Sequence, residues 1–142
     1  MNSSIGAVLI FVTVVGWAFV PGAINSARGQ GPTNPSYTVD QAKRGHDAFL
    51  LNCAMLCHGD NLDNGDALPL KGEAFHDHWA GKGIDEPFSL MLEKMPPPNP
   101  GSLPPATYAD ILAFILSKNG IAPGKTELPP DATALKAFKF PS

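Results

Sequence analysis

The chain has 142 residues, of which 44% are hydrophobic and 16% charged, and a formal net charge of −3. That length suits one domain plus a targeting segment, and the charge balance excludes a nucleic-acid binder, which would present a basic face. Fifteen prolines and fourteen glycines predict few helices joined by long ordered loops, and two cysteines in one short motif exclude a disulfide framework between distant parts of the chain.

From Ile5 to Val20 the sequence reads IGAVLIFVTVVGWAFV, and no charge follows until Arg28. A run of that length fits a signal-peptide core or a slightly short membrane span, for which about 20 residues are expected. Pro21-Gly22 breaks it, and cleavage points stand after Ala23 or Gly29. Residues 1–29 therefore read as a signal peptide or a retained N-terminal anchor. Either way the following domain is exported, to the periplasm, free or held at the inner membrane. Residues 30–37 (QGPTNPSY) form a polar, proline-containing linker.

A domain over 38–120 opens with a helix. Thr38-Val39-Asp40-Gln41 predicts a capping box, threonine as N-cap and glutamine at the third helical position. Ala42, Gly45, Ala48, Phe49 and Asn52 then recur at helical spacing on one stripe. A glycine in a helix interior costs about 1 kcal/mol relative to alanine, which is explained if another helix crosses Gly45 at close range.

Cys53-Ala54-Met55-Leu56-Cys57-His58 follows. Two cysteines with a histidine directly after the second hold haem covalently: the thiols add across the porphyrin vinyl groups, and the imidazole coordinates the iron. Such motifs usually carry two residues between the cysteines, whereas this one carries three. A longer spacer can bulge while Cys57-His58 stays in place, and both thiols are expected to bond. A large apolar cofactor would also supply the buried surface that a small, loop-rich domain lacks.

Gly59 to Asp66 is turn chemistry. Its alternating oxygen side chains resemble a calcium loop, but no closing glutamate stands at the required spacing. Short helices are predicted at Glu73–Trp79 and Pro87–Lys94. Met95-Pro96-Pro97-Pro98-Asn99-Pro100-Gly101 cannot be helical, because proline lacks a donor and fixes φ. Ser102 is the expected cap of the last main helix, in which Tyr108, Ile111, Leu112, Ile115 and Leu116 form a wide apolar stripe ended by Asn119-Gly120. Residues 121–142 are a tail whose Leu128, Leu135, Phe138 and Phe140 can pack on the domain, with one short helix over Asp131–Phe138.

With His58 as one axial ligand, four side chains are candidates for the other: Met95, Met91, His76 and His78. Met95 is favoured, since a stiff loop can present it to a buried metal. A thioether opposite an imidazole favours ferrous iron and leaves no open position for substrate. That is the chemistry of an electron carrier, not an enzyme.

These residues resemble a class I c-type cytochrome. The resemblance rests on Gly45 and Phe49, Cys57-His58-Gly59, Met95-Pro96, and Tyr108 to Leu116. The run from Met95 through Gly101-Ser102-Leu103 to Leu116 is similar to cytochrome subunits that serve periplasmic pyrroloquinoline-quinone dehydrogenases. It implies an all-α class I cytochrome c fold, three to five short helices and long loops wrapped around one covalently bound haem c. The first and last helices would cross through Gly45, Phe49, Ile111 and Phe114. It further implies that Trp79 bonds a haem propionate, the competing role for Trp79 being packing. The family takes the carbonyl that orients its histidine from a proline in a Pro-x-Leu-x-Gly loop. Here the order is Leu68-Pro69-Leu70-Lys71-Gly72, so Leu68 or Pro69 would offer that carbonyl.

The expected function is single-electron transfer in the periplasm, from a quinoprotein dehydrogenase toward a terminal oxidase. Lys82 and Lys94 are candidates for guiding docking, or are ordinary solubilising charges. One alternative keeps the haem but lets Met95 dissociate, so that a small molecule binds or is reduced, with His76 or His78 as helpers. Another drops the haem and joins Cys53 to Cys57 in a disulfide. Zinc lacks a fourth ligand near the cysteines.

Overall fold

The first helix begins where the sequence places its cap. In the computed structural model, which describes Met1 and residues 35–142, α1 runs Val39–Phe49, and the Thr38 hydroxyl accepts from Gln41 N at 3.1 Å. The reciprocal half of the predicted capping box is not made. Gln41 turns inward instead: its Nε2 donates to Leu128 O at 3.1 Å and its Oε1 accepts from Leu128 N at 2.8 Å. A buried amide needs both kinds of partner, and the backbone of Leu128 supplies both. The apolar run at 5–20, its cleavage points and most of the 30–37 linker lie outside the described residues.

After α1 the chain widens into a π-helical segment, Leu50–His58. Four further α-helices follow: α2 (Glu73–Trp79), α3 (Asp85–Lys94), α4 (Pro105–Lys118) and α5 (Ala132–Leu135). Among the described residues β structure is limited to an isolated antiparallel bridge between Gly83 and Lys139. The described chain is therefore all-α. No helix among the described residues is long and apolar enough to cross a membrane.

Three boundaries differ from expectation. α3 starts two residues earlier, with Asp85 and Glu86 in its first turn, where carboxylates suit the helix dipole; Pro87 also falls there, where its missing N–H goes unneeded. α4 is not capped by Ser102. Pro105 forces Pro104 into extended backbone (ψ 143°), so the helix cannot begin before Pro105 itself. α5 is shorter than 131–138: Asp131 caps it through Ala134 N at 2.8 Å, but by Phe138 the chain has left the helix to pair beside Gly83.

α1 packs across α4, with Gly45 buried against the Asp110 backbone. The Phe49 and Phe114 rings lie 5.4 Å apart, tilted by 49°. Ile111 through Leu116 are all buried, so α4 is the central rod of the domain. At the surface of this crossing Arg44 grips both Asp110 oxygens and Glu127, each at 3.0 Å, joining α1, α4 and the tail.

The tail folds back as the sequence anticipates. Leu128, Leu135 and Phe140 are buried, and Phe138 is partly so. Its start is tied by Gly124 N to Tyr37 O at 2.7 Å. Its end is tied by Phe140 N to Lys82 O at 2.9 Å.

Candidate cofactor site

A cavity of about 530 Å³ lies between the π-helical segment, the 67–70 loop, the ends of α2 and α3, the 95–98 loop and one face of α4. Its size falls within the roughly 300–1,000 Å³ of ordinary cofactor sites. Cys53, Cys57, His58, Leu68, Pro69, Trp79, Met95 and Pro96 all line it. Among the described residues no Asp, Glu, Lys or Arg does, so Lys82 and Lys94 stand outside it.

The π-helical segment accounts for the long spacer. Its hydrogen bonds span five residues, as in Gly59 N to Ala54 O at 2.9 Å, so each turn holds more chain than an α turn. Ala54, Met55 and Leu56 are absorbed by a wider helix rather than extruded as a loop. Cys53 and Cys57 fall within one such turn, and both reach the cavity as free thiols. Burial, with a smaller push from Cys57, raises the Cys53 thiol to about 11.

The end of that segment is closed by glycines. Gly59 takes φ +69°, and Gly65 packs so tightly on the Cys57 carbonyl that a side chain there would overlap it. Ala67 N then donates to the same carbonyl at 2.8 Å, satisfying a helix-end acceptor. The polar side chains between them serve the loop itself. Asn64 accepts from Asn61 N and donates to Asp60, and Lys71 pairs with Asp63 at 3.1 Å.

His58 is half-buried, with Nδ1 at 3.2 Å from Leu68 O. A carbonyl only accepts, so Nδ1 carries the proton and Nε2 keeps its lone pair. Burial holds the imidazole below its usual pKa, and the Leu68 bond opposes this in part. The result is a neutral ring fit to ligate. Of the two carbonyls that the sequence offered, the one used is Leu68's.

The Leu68 loop is itself pinned by Asn119, a residue that sequence reasoning read only as a stop signal. Its Nδ2 donates to Leu70 O at 2.9 Å, and its Oδ1 accepts from Gly72 N at 3.2 Å. On the opposite side Met95 N donates to Met91 O at 3.0 Å. The Met95 carbonyl accepts from the Tyr108 hydroxyl at 2.6 Å and from Gly101 N at 3.2 Å. By periodicity alone Tyr108 reads as one more residue of the apolar α4 stripe. The cue available was a phenol at a core position, which needs a partner.

Of the four candidates for the second ligand, Met95, Met91 and His78 border the cavity. His76 does not; it faces a separate cavity of about 30 Å³ beside Asn119 and Phe140. Trp79 stands between the cavity and an aromatic cluster, 6.3 Å from Phe75 and 6.1 Å from Phe140, with Lys82 Nζ 5.3 Å from its ring. Leu51, Met55, Leu68 and Leu90 are large, apolar and exposed, and all four sit on the cavity rim.

Two thiols, the imidazoles of His58 and His78 and the thioethers of Met55, Met91 and Met95 thus border a largely apolar cavity of cofactor size, with no Asp, Glu, Lys or Arg among its described lining residues. That donor set fits haem. Among the described residues no three His, Cys, Asp or Glu side chains converge on a point. Comparison with protein-family models, curated proteins and solved structures returned no match.

Proposed function

We propose that the protein is a periplasmic single-electron carrier of the class I c-type cytochrome kind, holding one covalent haem c. The observation that supports this reading is that Cys53, Cys57, His58 and Met95, separated by up to 42 positions in sequence, line one cavity. Bound there, haem supplies a one-electron ferric/ferrous couple. Cys53 and Cys57 would hold it by thioether links, and His58, its ring fixed by Leu68 O, would ligate through Nε2. Met95, which lines the same cavity, would supply the second protein ligand. Leu68, Pro69, Pro96 and Trp79 shape the walls and exclude water.

With both ligands to the iron supplied by its own side chains, the site would transfer electrons and leave no position for substrate. Its partners are then other proteins: a quinoprotein dehydrogenase as donor and a terminal oxidase as acceptor. Export would proceed through the 1–29 segment, cleaved or retained as an anchor.

A second reading, in which Met95 leaves and a small molecule enters, draws support from His78 on the cavity wall. The test of the main reading is protein matured in a periplasm, examined by mass spectrometry and as its reduced haemochrome. A mass increased by one haem and a spectrum of two saturated vinyl groups are expected. An unmodified mass would overturn the reading. Rapid carbon monoxide binding to the ferrous wild type would favour the second.

A further inference from the structure

The two sides of the cavity are held by opposite ends of one helix, and they are held unequally. Near its C-terminal end, α4 fixes the loop behind His58 through both polar atoms of Asn119. That loop is tied further by Leu70 N to Leu62 O at 2.7 Å and by Ala67 N to Cys57 O. Near its N-terminal end, α4 reaches the 95–102 loop through the Tyr108 hydroxyl on Met95 O.

Every other hydrogen bond of that loop is local. Met95 N goes to Met91 O, Asn99 N to Pro96 O at 2.9 Å, Gly101 N to Met95 O, and Ser102 N to Asn99 O at 3.3 Å. Among the described residues, Tyr108 therefore makes the one hydrogen bond joining this loop to the central rod. Its side chain is itself buried and lines the cavity.

We propose that Tyr108 is a positioning residue, a latch that sets how readily the Met95 side chain withdraws from the cavity and thereby whether an outside ligand enters. The inference rests on the electron-carrier reading and deepens it: the same chain is a closed carrier with the latch made and a ligand-accepting haem protein with it broken. Removal of the hydroxyl leaves the Met95 carbonyl bonded to Gly101 N, so no buried acceptor is orphaned and the fold is kept. What is lost is the tie to α4.

The test compares holo wild type with Tyr108→Phe and, as a control for general loosening of α4, Leu116→Ala. Leu116 is fully buried and does not line the cavity. Carbon monoxide binding to the ferrous form, imidazole binding to the ferric form and the methionine-to-iron charge-transfer band are measured, with denaturant unfolding alongside. Tyr108→Phe is expected to bind both ligands about tenfold faster, the equivalent of one net hydrogen bond, and to show a weakened band at near-native stability. Leu116→Ala is expected to unfold more easily while binding ligands at the wild-type rate. Wild-type rates in Tyr108→Phe, or equal acceleration in both variants, would overturn the latch while leaving the carrier reading intact. A wild type without covalent haem would overturn both.

Discussion

Gly45 in α1 lies against the carbonyl oxygen of Asp110 in α4 so closely that a methyl group at Gly45 would occupy the same space. The obstacle is backbone, which cannot rotate aside as a side chain would. Gly45→Ala gains about 1 kcal/mol of helix propensity but forces the two helices apart, at an overpacking cost of up to about 3 kcal/mol. The expected outcome is a net loss of about 2 kcal/mol, read as a lower guanidinium midpoint. A midpoint equal to or above wild type would mean that the helices do not meet there.

Gln41 carries the tail. Its amide satisfies both backbone groups of Leu128 in a buried position. Gln41→Ala leaves those groups without partners, each costing about 1–3 kcal/mol. The expected loss is about 2–6 kcal/mol for the two groups together, and limited proteolysis should cut the 121–131 stretch early. Resistance to protease equal to wild type would show that the tail is held by Leu135 and Phe140 alone.

Met55 is 86% exposed on the π-helical segment. Its deletion shortens the spacer to two residues, and the segment is expected to return to α-helical hydrogen bonding with both cysteines still facing the cavity. Such a variant should carry one haem on two thioethers, measured by mass and haemochrome, at stability equal to or above wild type. Loss of covalent haem would show that the wide turn itself is required.

Cys53 sets a pH dependence in the protein before any attachment. Burial, with a smaller push from Cys57, holds its thiol up at about 11 in the folded protein, above an ordinary value of 9.0. Between these values the unfolded chain gives up its proton first, so stability is full below pH ~9 and falls as pH rises toward ~11. The expected loss is on the order of 1–2 kcal/mol after allowance for partial exposure. Cys53→Ser should remove it; a slope unchanged in that variant would assign the loss to another group.

Periodicity and capping made α1 and α4 legible from sequence, because Thr38, the Gly45–Phe49 stripe and the Tyr108–Leu116 stripe are local signals. The positions around the cavity were legible for the same reason: cysteines, histidine and methionine announce their chemistry by type. The geometry that joins them was not. A run such as LLNCAMLC has no periodicity that separates four-residue from five-residue hydrogen bonding, so the π turn is decided by packing. Gln41, Tyr108 and Asn119 each read as something local, a capping box, a stripe or a stop. Tyr108 is buried in that stripe and Asn119 does end α4, and each of the three also reaches a partner brought near by folding: Leu128, Met95 and Leu70. The early end of α5 has the same origin, in the pairing beside Gly83.

Under the proposed electron-carrier reading, the absence of carboxylates and ammonium groups among the described residues of the cavity wall bears on speed. When the charge inside a pocket changes by one unit, nearby ions and mobile dipoles must rearrange, and that rearrangement opposes the transfer. Here most of the neighbours are leucine, isoleucine, proline and methionine side chains, which have little dipole to turn; the Asn52 amide, the His78 imidazole and the Tyr108 hydroxyl, itself bonded to Met95 O, are the polar exceptions. For an electron arriving at such a pocket, the surroundings are already close to where they need to be.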